Sequence, residues 1–147
     1  MFRGSFEHTV DSKGRVSVPS KFRDIIADRY DGRLVLAMDY DKCLAVYPLE
    51  EWEKLEEKIR TLPTMKKEVK DFMRFLLASA TECELDKQGR VLIPAAHRDH
   101  AGIMKNVMLV GIIDKIEQNM VFTKQIIVQI RYAFDVGEHT QRGCVYY

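Results

Sequence analysis

The chain is 147 residues long, 46% hydrophobic and 31% charged, with 23 Lys and Arg against 22 Asp and Glu for a formal net charge of +1. That length suits one ordinary domain, or two intertwined half-size units, and buries a core without disulfide or metal staples. Near neutrality excludes a polybasic tail and an acidic disordered chain, so any nucleic-acid role must come from a local patch.

No apolar run approaches the roughly 20 residues that span a bilayer. The start, Met1-Phe2-Arg3-Gly4-Ser5-Phe6-Glu7-His8, lacks the apolar stretch of a secretory signal. A cytosolic protein with no membrane partner is expected. Cys43, Cys83 and Cys144 are odd in number and far apart, which fits neither a disulfide framework nor a paired-cysteine metal site. Cys43 and Cys83 read as small buried hydrophobes and Cys144 as a free thiol.

In chain order, Phe6-Glu7-His8-Thr9-Val10 alternates apolar and polar as a half-buried strand does. Asp11-Ser12-Lys13-Gly14 places Asp first and Gly last in a type I turn, and the glycine's access to positive φ predicts a hairpin return. Arg15-Val16-Ser17-Val18 then alternates again, with the valines inward. Pro19 ends that strand and opens a short helix over 20–27. A strand over 34–38, a turn over 39–42 and a strand over 43–47 follow.

Two helices are predicted next. Pro48 starts the first, in which Leu49, Trp52, Leu55 and Ile59 share a face, and Pro63 stops it. The second, over 65–80, carries a broad stripe of Met65, Val69, Phe72, Met73, Leu76, Leu77 and Ala80. That stripe is expected to be buried on a barrel or on a neighbouring subunit.

The remaining chain repeats the opening plan: strand over 83–85, turn over 86–89, strand over 90–93, Pro94, helix over 95–101, strand over 107–112, a turn near Asp114-Lys115 and a strand beginning at Ile116-Glu117. Residues 11–24 and 86–99 match without a gap at Asp11/Asp86, Gly14/Gly89, Arg15/Arg90, Val16/Val91, Pro19/Pro94, Arg23/Arg98 and Asp24/Asp99. An internal repeat of this kind organises the whole fold. Leu92 replaces Ser17, so the second copy's outer face is expected to be covered. The fold class is mainly β with helices (α+β): two half-units, 1–47 and 81–117, closing a barrel together, with a helical insertion over 48–80.

An enzyme needs a nucleophile, a base or a metal cluster. His97 and His100 lie three apart with no third ligand beside them, and no phosphate loop, GxSxG or HExxH occurs. No catalytic, cofactor-binding or metal-ligating residue is assigned. Charge placement favours binding instead: within 1–23, Arg3, Lys13, Arg15, Lys21 and Arg23 face only Glu7 and Asp11. Lysine in the turn and arginine just after it suit double-stranded DNA, the lysine to phosphate and the arginine fork to phosphate or guanine. The competing reading pairs Arg15 with Asp11 and Arg90 with Asp86, so that the arginines merely hold the turns. Several copies on one surface would multiply a modest patch.

The doubled Asp-x-x-Gly-Arg-apolar-x-apolar-Pro motif, together with Met1-Phe2-Arg3-Gly4 and Pro48-Leu49-Glu50-Glu51-Trp52, resembles the MraZ family over about residues 1–117. The resemblance implies two swapped-hairpin barrel units related to AbrB and SpoVT, in a bacterial transcriptional regulator. It also implies a closed homo-oligomeric ring, cytoplasmic and nucleoid-associated. Such a ring binds short direct repeats upstream of a division and cell-wall gene cluster, its own promoter included. Position by position, it puts DNA contact on Lys13, Gly14 and Arg15 with Arg3 nearby, and offers Lys87, Gln88, Gly89 and Arg90 in the second copy. A ring that binds another protein, with purely structural arginines, is the alternative.

Residues 118–147 depart from that pattern. Ile126, Val128, Ile130, Tyr132 and Phe134 alternate as in a strand where the family would place a charged helix. A change of reading frame after about Glu117 is one origin for this, and it predicts an incomplete last strand with an exposed edge.

Overall fold

The computed structural model describes residues 1–39, 42–113 and 115–119. Eight strands and four helices occur in these residues: β1 (Phe2–Thr9), β2 (Arg15–Ser17), α1 (Ser20–Tyr30), β3 (Arg33–Met38), β4 (Leu44–Pro48), α2 (Leu49–Arg60), α3 (Lys67–Ser79), β5 (Thr81–Glu84), β6 (Arg90–Leu92), α4 (Ala95–His100), β7 (Asn106–Ile113) and β8 (Lys115–Asn119). Pro19, Pro48 and Pro94 stand immediately before α1, α2 and α4. Each lacks the N–H a ladder needs and has φ already set for a helix, so each marks the point where strand gives way to helix.

Six strands form one antiparallel sheet in the order β1-β7-β8-β4-β3-β5, and β2 and β6 form a separate two-stranded ribbon. The fold is α+β, with helix and strand more evenly balanced than a mainly β reading expects. No closed barrel occurs among the described residues. The sheet has two ends: β1 pairs only with β7, from Phe2↔Ile113 to Thr9↔Asn106, and β5 only with β3.

The turns depart from what alternation alone predicts. Alternation predicts that each closes a hairpin on itself, but a single bridge, Val10↔Val16, joins the arms of the first. β2 pairs instead with β6 of the other copy, Arg15↔Leu92, Val16↔Val91 and Ser17↔Arg90. The two copies are exchanged partners in one ribbon.

β3 reads Leu34-Val35-Leu36-Ala37 because both of its faces are covered. Leu34 and Leu36 join Phe2, Val16, Phe22, Ile26, Val91, Ile93 and Leu109 in the main core, which the ribbon and α1 close. Val35 and Ala37 point the other way, onto Trp52, Ile59 and Leu76 of α2 and α3. Phe22 is central, packing edge-on against Phe2 at 5.5 Å and Phe6 at 5.1 Å between ring centroids. Burying a side chain of that size is worth about 1.5–3 kcal/mol. Gly111 permits this approach, since a Cβ there would lie 2.6 Å from the Arg3 backbone nitrogen and 2.9 Å from Phe22.

His97 and His100 are structural. His97 is buried and its Nε2 donates to the Ser79 carbonyl at 2.7 Å, while His100 Nε2 donates to the Asp39 carbonyl at 2.8 Å. These bonds tie α4 to the end of α3 and to the β3–β4 connection. Cys43 is buried and Cys83 partly so, and burial pushes the Cys83 thiol up to about 11.

Several expectations need correction. α1 continues to Tyr30 rather than ending at residue 27, stopping at Asp31 in the left-handed region and Gly32 beyond it. α3 starts at Lys67, leaving Met65 outside it and 89% exposed. Leu76 is the one residue of α3 that is fully buried, and Leu77 is 37% exposed, so much of the broad stripe is only half covered. Leu92 is 55% exposed, not covered. β8 is not an exposed edge, for it pairs with β7 on one side and β4 on the other. Cys144 and the strand pattern over 126–134 lie outside the described residues.

Candidate nucleic-acid interface

Each turn is built around one aspartate. Asp11 Oδ1 accepts the backbone N–H groups of Lys13 and Arg15, both at 2.9 Å, and its carbonyl accepts that of Gly14 at 2.9 Å. Its other oxygen, Oδ2, takes Arg15 Nε and Nη2, each at 2.7 Å. The second turn repeats this. Asp86 Oδ1 accepts from the Gln88 and Arg90 backbone at 2.9 Å, and Oδ2 takes Arg90 Nε at 2.8 Å and Nη2 at 2.7 Å. Short aspartate side chains favour such local bonds to the backbone, which is why Asp opens both turns. The Arg15 side chain, bonding to the charged form, lowers the Asp11 carboxyl to about 2, and Arg90 lowers that of Asp86 in the same way.

Gly14 and Gly89 adopt φ of +82° and +72°, which side-chain-bearing residues rarely take. Both glycines are buried, and their polar groups are engaged across the repeat. The Gly14 carbonyl accepts Ile93 N–H at 2.9 Å, and the Gly89 carbonyl accepts Val18 N–H at 3.0 Å. Arg98 lies over Gly14 and Arg23 over Gly89. Each turn is therefore completed by the other copy.

This exchange brings Arg15 and Arg90 together. Arg15, Ser17, Arg90 and Leu92 share one face of the β2–β6 ribbon, because directly opposed residues of an antiparallel pair point the same way. Arg90 Nη1 lies 3.9 Å from Asp11 Oδ2, an ion pair between the copies. The Arg15 and Arg90 side chains retain 29% and 26% exposure. Lys13, Lys87 and Gln88 are exposed on the turns.

Of the residues the sequence singles out, Arg15 and Arg90 share one patch on the ribbon face, and Lys13, Gly14 and Lys87 stand on the turns at its two ends. Arg3 does neither. It stands six residues before the end of β1, roughly 20 Å from the tip at a strand rise of about 3.3 Å per residue, and its Nη2 donates to Met1 Sδ at 3.0 Å. Gly14 and Gly89 serve as buried turn elements rather than as open backbone donors. Two further residues beside the tips, Arg23 and Arg98, are matched in the repeat, but sequence reasoning counts Arg23 only toward a local charge excess and gives Arg98 no role; their identity in the two copies is the signal that could have found them.

A family model described as "MraZ protein, putative antitoxin-like" matches residues 1–75 and 76–119. A protein of Thermoanaerobacter pseudethanolicus is 51% identical over 117 residues, covering 80% of this chain and 79% of that one. A protein of Caldanaerobacter subterraneus is 45% identical over 137 residues, covering 93% and 91%. A third, of Caldicellulosiruptor bescii, is 49% identical over 117 residues, covering 80% and 79%. All three bear the name transcriptional regulator MraZ. The two matched segments each hold one copy of the motif, and together they span most of the chain. It belongs to the MraZ family.

Proposed function

We propose that the chain is a sequence-specific, double-stranded-DNA-binding transcriptional regulator, acting as a homo-oligomeric ring in the cytoplasm and associated with the nucleoid. The observation that carries this reading is the pairing of both copies in one ribbon, so that Arg15 and Arg90 share a face with the Lys13 and Lys87 turns at its two ends. The names of the relatives support the regulatory role. The exposed lysines reach phosphates, while the half-exposed arginines stand at the height of base edges. A two-stranded ribbon is narrow enough to enter a major groove. A ring repeating this face suits short direct repeats upstream of a division and cell-wall gene cluster, its own promoter among them, and repression follows from occupying it.

One observation favours a second reading, a ring-forming protein-interaction scaffold: both arginines are already paired with aspartates inside their own turns. Retention on DNA against salt, together with solution mass, separates the two. For the regulator, Arg15→Ala weakens binding about tenfold or more and makes the log–log salt slope shallower by about 0.9 for each phosphate left without its cation. Unchanged binding with a disrupted oligomer selects the scaffold.

A further inference from the structure

Arg23 and Arg98 occupy matching places, four residues after Pro19 and Pro94, Arg23 near the start of α1 and Arg98 in the last turn of the six-residue α4. No acidic residue shares either first turn. For Arg23 a cation at that end opposes the helix dipole, so local helix energetics do not explain its place. Asp24 and Asp99 come next in each helix, exposed and about 100° further round the axis.

Both side chains leave their own copy and cross to the other tip. The Arg98 guanidinium has Cζ and Nε each 3.0 Å from where a Cβ on Gly14 would stand. Arg23 fills the corresponding space over Gly89, where a Cβ would overlap its Cδ and Nη1, and that Nη1 donates to the Gln88 carbonyl at 3.4 Å. In both arginines Nε is buried and has no hydrogen-bond partner among the described residues. Arg15 and Arg90, by contrast, each end on a carboxylate.

A guanidinium that is positioned, half-buried and not neutralised by a carboxylate is a prepared anion site. Its planar fork matches phosphate oxygens, and its seating on glycine reduces the ordering cost before a ligand arrives. Lys13 and Lys87 flank the two seats. We propose that Arg23 and Arg98 are phosphate-contacting residues of the tip face, each held in place by the turn glycine of the opposite repeat. The inference rests on the DNA-binding reading above and deepens it. Each phosphate site is composite, Arg98 with the first tip and Arg23 with the second, so neither repeat alone builds one.

The test is arginine-selective modification with phenylglyoxal, read by mass spectrometry on the unaltered full chain. It is run with and without a duplex from directly upstream of its own coding sequence. Modification of Arg23 and Arg98 falls several-fold when the duplex is bound, while that of exposed Arg60 on α2 is unchanged. In parallel, Arg23→Gln and Arg98→Gln each flatten the salt slope by at least about 0.9, and the Lys variants keep most of it because the charge remains. Equal modification of Arg23 and Arg98 in free and demonstrably bound protein overturns this inference and leaves the DNA-binding reading standing. Absence of any duplex binding by the unaltered chain overturns both.

Discussion

The two turn tips are nearly superposable in chemistry, yet they differ in three places. The first carries its lysine at the third position, Lys13, where the second has Gln88; the second carries Lys87 where the first has Ser12. The ribbon residue that follows is Ser17 in one and Leu92 in the other. Asp11 also receives Arg90 at 3.9 Å in addition to its own Arg15. What is shared (Asp, Gly, Arg, Pro and the crossing arginine) is what closes and exchanges the turns. What differs faces solvent. The architecture is thus two-fold and its exposed chemistry is not, so a duplex bound as proposed would meet two unequal half-faces.

The largest effect expected from breaking this comparison comes from the glycines. Gly89→Ala combines a disfavoured positive φ with displacement of the Arg23 side chain, and is expected to destabilise the fold by about 2–3 kcal/mol. Gly14→Ala, where the Arg98 seat is looser, should cost about 1–2 kcal/mol. Thermal or denaturant unfolding of the two variants checks the order, and a larger loss at Gly14 would contradict the seating geometry.

Acid titration sharpens the comparison further. Because the folded carboxyl of Asp11 sits at about 2, below its ordinary 3.8, its stabilising effect is complete above that ordinary value. It is lost as pH falls through about 2. Asp11→Asn should remove this part of the acid dependence of the melting temperature. Asp86→Asn should act in the same direction.

The smallest expected effect is at Leu92. Being 55% exposed, it contributes little to the core, so Leu92→Ser should change stability by less than about 0.5 kcal/mol. It makes the two half-faces alike at this position. Any change in which duplex is preferred would then report the asymmetry itself.

Much of this is legible in the chain. Asp-x-x-Gly announces a turn through the backbone bonds only Asp makes cheaply and the φ only Gly takes freely, and Pro19, Pro48 and Pro94 mark where strands become helices. Alternation, however, tells which face a strand residue occupies and not which strand it pairs with. The exchange of β2 onto β6 is therefore invisible in it, and so is the meeting of Arg15 and Arg90. The same limit hides the open sheet order. Leu92 misleads because an apolar residue is compatible with exposure, whereas burial requires a neighbour to cover it. Arg23 and Arg98 stand in the repeat unexplained, since their partners are glycines in the other copy.

The claim that both tips of one chain form a single DNA-binding face is tested most directly by amide hydrogen exchange on the full protein, free and saturated with the upstream duplex. The account predicts slowed exchange over 11–15 and 86–90 together, with α2 and α3 unaffected. Protection confined to one tip, or appearing elsewhere while the tips exchange as in the free protein, would contradict it.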